Sequence, residues 1–301
     1  MMRSGREQLV ASQNRDGGWG AQQGRASSTE ITALATLALG RLDTSASRAS
    51  ATHGLRWLAD RQHDDGGWPV SAQVDGASWA TALAVLALDA LGREPTRAVR
   101  GARWLLRRAP RTLGMTISLL HRFAPSTLAV RLNPDLKGWA WTSDATSFVE
   151  PTCYALLALK RLRRHLPGAV VAERIDEAEH MVYDRMCRDG GWNYGNSTVL
   201  EAELWPYADV TALALLALVD RRQREANQRS LGALRKMLQS VDSGLSLAWA
   251  TLCFEVYGGE DLALWRGRLV ERYARTAFLG ETKAVALALL ALTGGAEAFR
   301  L

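Results

Sequence analysis

Cysteine is scarce in this chain: Cys153, Cys187 and Cys253 are the only three in 301 residues. They are far apart, odd in number and never spaced C-x-x-C. This argues against a disulfide framework and fits a reducing compartment. Histidine is little more common, with five residues (His53, His63, His121, His165 and His180), and no HExxH, Walker or GxGxxG pattern is present. No run reaches the ~18 apolar residues of a membrane span. The stretch MMRSGREQLVASQ at 1–13 has no apolar core of signal-peptide length, so a cytoplasmic protein is expected. The net charge is +6. The basic residues are mostly arginine spread along helical faces, as in RRQREANQR at 221–229, which reads as a solvated surface and not as a nucleic-acid site.

What the chain does have is apolar mass and repetition. Hydrophobic residues make up 48% of it, enough for a large core. Six Ala-Leu-rich segments recur at 30–42, 78–91, 150–162, 208–221, 244–258 and 283–295. Each is apolar nearly all round, the character of a helix buried on every side, and Ala and Leu favour helix over strand. Six amphipathic, charge-rich segments alternate with them, at 3–14, 47–62, 96–109, 170–187, 223–240 and 261–277. In RAVRGARWLLRRA at 97–109, Val99, Ala102, Leu105 and Leu106 take one face and arginines the other. The alternation predicts an all-α chain of six inner and six outer helices in two concentric rings. An open solenoid would need polar end repeats, and the last segment is as apolar as the middle ones, which favours a closed ring.

A short frame marks the joints. GREQLVASQNRDGGW at 5–19 and GLRWLADRQHDDGGW at 54–68 share it, and RDGGW at 188–192 carries its end. Asp-Gly-Gly supplies the turn and left-handed positions that stop a helix. The tryptophan is expected to bury between that turn and the next inner helix, and the glutamine to bond free carbonyls at the helix end. The frame resembles the QW motif of squalene–hopene and oxidosqualene cyclases. Gly54, Trp57, Leu58, Gln62, Gly66 and Trp68 match every position, while Gly5, Leu9, Gln13, Gly17 and Trp19 match with Gln8 in place of the aromatic. The Gly-Gly-Trp turn before an Ala-Leu helix is also similar to protein prenyltransferase β subunits. The resemblance runs along essentially the whole chain. It implies one (α/α)6 toroid over 1–301 of the terpenoid cyclase/prenyltransferase kind, with a long insertion at 110–141.

Fold alone does not carry function. The squalene cyclases and class II diterpene cyclases have Asp-x-Asp-Asp-Thr at the start of an inner helix, and the middle Asp is their proton donor. Aligned on the threonine, YADVTALAL puts Asp209 at that position, with Tyr207 and Val210 replacing the first and last Asp. The same register holds Glu30 in TEIT, Glu150 in EPT and Trp79 in the second repeat. Acids in a first helical turn also complement the helix dipole, so both readings stand. Asp144 in WTSDATSF is a further acid, at the rim or as a cap. An aromatic lining would suit a cationic polyene; its candidates are Trp79, Trp139, Trp141, Phe148, Tyr154, Trp205, Tyr207 and Trp249. EPTCY is similar to the Asp-x-Cys-Tyr of prenyltransferases, but Glu150 lies three residues before Cys153 instead of two. The matching later helix has no histidine, so no zinc site and no other metal or cofactor is expected. HDDGG at 63–67 reads as a turn, not a magnesium cluster. The insertion at 110–141 reads as a lid, with packing filler and peripheral membrane contact as alternatives.

The resemblance therefore implies an isoprenoid-handling enzyme, a class II-like terpene cyclase of isomerase or lyase type. Asp209 would donate the proton, supported by Glu150 and Glu30. The alternative is a non-catalytic toroid that binds a lipid or peptide, or a subunit of a larger complex.

Overall fold

A computed structural model describes residues 1–108, 119, 132–142 and 145–301. Among these residues lie twelve α-helices. The outer ones are α1 (Met2–Ala11), α3 (Ser45–Arg61), α5 (Pro95–Arg107), α7 (Gly168–Asp184), α9 (Glu225–Met237) and α11 (Leu262–Thr276). The inner ones are α2 (Thr29–Gly40), α4 (Thr81–Ala90), α6 (Val149–Leu162), α8 (Ala208–Ala217), α10 (Gly244–Tyr257) and α12 (Thr282–Leu292). Each inner helix packs on the next, from α2 through to α12, and α12 packs back on α2. The ring is closed, as the apolar last segment predicts.

Every inner helix forms a hairpin with the outer helix that follows it, except α12, whose outer partner is α1 from the other end of the chain. The inner helices are buried almost completely; in α8, nine of the ten residues are. Most outer helices bury a stripe only, such as Trp265, Leu269 and Tyr273 of α11. No helix among the described residues is long and apolar enough to cross a membrane. A short hairpin, β1 (Thr198–Val199) with β2 (Ala202–Glu203), precedes α8. Its tip residues Leu200 and Glu201 both have positive φ, 48° and 63°, a geometry normally left to Gly and Asn.

The repeated frame is a set of clasps between successive outer helices. Gln13 Nε2 donates to Gly17 O (2.8 Å) and to Ser50 O on α3 (2.9 Å). Gln62 Nε2 does the same to Gly66 O (2.9 Å) and Arg97 O on α5 (3.0 Å). Gly66 carries φ +98°. The buried indole of Trp68 donates to Leu58 O (2.7 Å), while its backbone N–H donates to Thr81 Oγ1 at the head of the next inner helix (2.8 Å). Trp19, Trp139 and Trp192 repeat that pair of bonds with Thr32, Thr152 and Thr211. The first glycine of the frame is a contact glycine. A Cβ on Gly54 would sit 2.0 Å from Thr36 Oγ1 and 2.8 Å from Trp19 Cζ3, so α2 and α3 approach as closely as they do only because nothing is there.

The acid of Asp-Gly-Gly has a part that the sequence does not suggest. Asp65 Oδ1 accepts the Gly67 N–H (3.0 Å) and Oδ2 accepts the Trp104 indole N–H (2.8 Å). Asp16 does likewise with Gly18 and Trp57. Partial burial works to raise both carboxyl pKa values, but these bonds prevail and hold them below the ordinary 3.8. At the opposite end of the ring, Lys160 of α6 is buried. Its Nζ reaches Glu179 of α7 and Asp220 after α8, each at 2.6 Å, and Ala217 O at 2.7 Å.

Candidate functional site

The inner helices run in one direction, so their N-terminal ends meet at one mouth. Glu30, Glu150, Asp209 and Lys283 are each the second residue of their helices, α2, α6, α8 and α12. Lys283 Nζ lies 2.6 Å from Glu30 Oε1 and 3.4 Å from Glu150 Oε1. The Tyr154 hydroxyl, one turn below Glu150, donates to the same Glu150 Oε1 at 3.0 Å. Glu150 Oε2 has no protein partner among the described residues. Glu150 is 8% exposed, and its side chain binds Lys283 and Tyr154 instead of capping its own helix.

The electrostatics follow from two carboxyls sharing one ammonium. Burial pushes the Glu150 carboxyl above its ordinary 4.5; Lys283 pulls it down, and Glu30 and Asp209 push it up again. Burial alone would lower the Lys283 pKa, but Glu30 and Glu150 outweigh it and hold the ammonium charged, above its ordinary value. Burial, reinforced by Glu150, lifts Tyr154 well above the ordinary phenol. Ionising Glu150 beside Glu30 would add negative charge in a poorly hydrated place, which is why Glu30 works with burial to raise the Glu150 carboxyl. Glu281, just before α12, is likewise raised by its burial.

Asp209 sits apart from this triad. It is half-buried, and its Oδ2 accepts the Tyr194 hydroxyl at 2.8 Å. Asp144 lies outside the described residues, as does most of the insertion 110–141, including the part expected to form a lid or touch a membrane.

Six of the aromatic candidates fall into two groups. Trp79 meets Trp141 edge-on at 4.6 Å and stacks on Tyr154 at 6.0 Å; Tyr154 meets Trp249 at 6.2 Å, and Trp249 meets Phe299 at 5.3 Å. This column runs from the segment before α4 through α6 and α10 to the turn after α12, and it is packed, with Tyr154 0% and Trp249 2% exposed. The far end is plugged by a 3-10 turn, Gly295–Phe299, against α4, α10 and α12. The near end opens into a cavity of about 330 Å3 lined by Trp79, Trp141, Trp139, Ser78 and Asp75. Trp205 and Tyr207 stand at the rim instead, 82% and 54% exposed, with Tyr207 against Tyr194 at 5.6 Å. Phe148 is partly buried under the loop at Gly195 and does not join the column.

Lys283 and Phe299 are the residues that sequence reasoning missed. Lys283 lies two before Val285, which takes the place of the threonine used to align the other repeats, so an alignment on Thr passes it by. Among the described residues, no cluster of three or more His, Cys, Asp or Glu is arranged to hold a metal.

No family model and no curated protein matches the sequence. Solved structures do. The type II terpene cyclase MstE from Scytonema matches at TM-score 0.58 and 14% identity over 99% of this chain and 97% of that one. An alpha-amylase from Clostridium perfringens matches at 0.66 and 10% identity over 97% of each chain. Protein geranylgeranyltransferase-I from Candida albicans matches at 0.51 and 16% identity, over 73% of this chain and 60% of that one. Neighbours of such different chemistry show that the ring is a shared frame. The chain has the α/α toroid fold of the terpenoid cyclases and protein prenyltransferases.

Proposed function

We propose that the mouth of this toroid receives an apolar, isoprenoid-like ligand and that Glu150 protonates one of its double bonds, the opening step of a class II-like cyclisation. The observation that carries this reading is the environment of Glu150. Its carboxyl is raised above its ordinary value by burial, one oxygen is held by Lys283 and Tyr154, and the other has no partner among the described residues. A strong acid in an apolar site needs both halves: desolvation to keep the proton until it is used, and preset donors to stabilise the carboxylate once it has gone.

In that step the Oε2 proton moves to one alkene carbon. The π pair becomes the new C–H bond, positive charge develops on the neighbouring carbon, and the carboxylate left behind faces the Lys283 ammonium and the Tyr154 hydroxyl. Trp79 and Trp141, which line the cavity, offer π surface to the cation. Asp209 and Glu30 complete the acidic mouth, and Trp205 and Tyr207 at the rim take the entering chain. The sequence alone assigns the donor role to Asp209; burial and partners favour Glu150. Similarity to terpene cyclases supports the choice of ligand at the level of fold only.

The test is incubation of the purified protein with farnesyl and geranylgeranyl diphosphates and with squalene, followed by mass spectrometry of the extracts. Cyclic product that disappears in Glu150→Gln and persists in Asp209→Asn supports the reading. Product loss in Asp209→Asn alone returns the donor role to Asp209. Saturable binding without product by the wild-type protein supports a second reading, a binding toroid, which the packed column and the Lys283 ion pairs favour.

A further inference from the structure

The opposite end of the ring carries a feature that the carboxylate mouth does not explain. Between the C-terminal end of α4, the following helix α5 and the 3-10 turn Arg163–His165 after α6 lies a cavity of about 520 Å3. Its walls are of two kinds. Val99, backed by the buried Leu88 and Leu162, gives the apolar side, while Arg93, Arg100, Arg103, Arg164 and His165 supply the polar side. Thr96, Val99, Arg100 and Arg103 fall at i, i+3, i+4 and i+7, one stripe of α5, so the helix turns this face to the cavity as a unit.

The charge here is unbalanced. The cavity has one acid, Asp89, and Arg161 already occupies it, with Nε 2.7 Å from Oδ2. Arg100 spends its guanidinium on the His63 and Asp64 carbonyls. Among the described residues, the guanidiniums of Arg93 and Arg103 make no hydrogen bond or ion pair, and that of Arg164 bonds only to its neighbour His165. The helix C-termini nearby attract cations, which accounts for some arginine at this end. It does not account for two guanidiniums, those of Arg93 and Arg103, without a partner among the described residues around one concavity.

We infer that this cavity is a binding site for a phosphate or diphosphate group carried on an organic body. The guanidiniums offer the forked donors that phosphate oxygens take in pairs, and Val99 with the arginine stems beside it faces the ester's apolar part. Its volume suits a small molecule. The site is independent of the proton-donor reading at the other end.

Isothermal titration of the full chain with pyrophosphate and with isopentenyl diphosphate tests this. Both are expected to bind saturably, the ester more tightly, and binding should weaken as salt is raised. The double variant Arg103→Gln, Arg164→Gln should keep its melting temperature, since both side chains are exposed, and should bind about tenfold or more weakly per guanidinium removed. Sedimentation with phosphatidic acid vesicles distinguishes the source. Vesicle binding that the double variant loses makes the phosphate a lipid headgroup; binding of the soluble anions alone makes it a free metabolite. Absence of binding to both, or equal binding by wild type and double variant, overturns the site.

Discussion

Lys283 stands between Glu30 and Glu150, 2.6 Å from one carboxylate and 3.4 Å from the other, and thereby joins helices α2, α6 and α12 at the mouth of the ring. Removing the ammonium leaves two poorly hydrated carboxyls facing each other. Lys283→Met is expected to cost about 3 kcal/mol at neutral pH, the low end for a broken buried pair because the side chains retain some exposure. The sign of the pH dependence follows. Without Lys283, Glu150 is raised further above its ordinary 4.5, so the folded state binds protons that the unfolded state has released. Stability is then greatest near or below pH 4.5 and falls as the pH rises through the folded value. Urea unfolding of the variant at pH 5 and pH 7 checks this, and a variant no more pH-sensitive than wild type would contradict it.

The glutamine clasps can be weighed singly. Gln62→Ala removes two hydrogen bonds to backbone carbonyls, Gly66 O and Arg97 O, and should cost about 1–3 kcal/mol. Gln13→Ala should cost the same, since its partners are equivalent. The two losses should add, because the clasps join different helix pairs and share no partner. Denaturant midpoints of the single and double variants measure this.

Gly54→Ala is a sharper probe of the α2–α3 contact. The added methyl would meet Thr36 Oγ1 at 2.0 Å and Trp19 at 2.8 Å, so about 1–3 kcal/mol or more of overpacking is expected. Thr36→Ala removes the closer obstacle and should restore part of the loss. A thermal melt in which Gly54→Ala is neutral would mean that the helices can separate freely.

Trp205 offers the reverse case. At 82% exposed, Trp205→Ser should leave stability within about 0.5 kcal/mol of wild type. If the rim receives the ligand, the same change should weaken binding of geranylgeranyl diphosphate, read by titration. Equal affinity would remove Trp205 from the site.

At low pH the Asp16 and Asp65 clasps should both fail. Their folded pKa values lie below the ordinary 3.8, so what they contribute is present above that value and lost as the pH falls through the folded one. Trp104→Phe removes an indole donor from Asp65 and should shift the carboxyl's NMR-observed titration upward.

The ring itself was legible because its signals are repeated. All-apolar Ala-Leu runs can only be inner helices, and Gly17 and Gly66 mark joints that a helix cannot cross. The acids at the mouth were legible because Glu30, Glu150 and Asp209 share a register with a threonine that has a structural bond to make. Lys283 was hidden because its helix uses Val285 there and has no tryptophan to bind. The packed column was hidden too. Phe299 reaches Trp249 from a turn after the last helix, a contact that no periodicity encodes. Nor does sequence say that Trp205, just before α8, stands in water while Trp249, within α10, does not.

The pairing of α1 with α12 sets the order of assembly. During synthesis the first helix leaves the ribosome some 270 residues before the surface it must cover is made, and until then its buried face at Gly5 and Leu9 has no partner on α12. Closure joins the most distant parts of the chain, the kind of contact that slows folding. A chaperone that shields α1 would therefore be needed for longest on nascent chains stalled before residue 282, and a permuted chain cut between α11 and α12, which makes this pair a local hairpin, should close its ring faster.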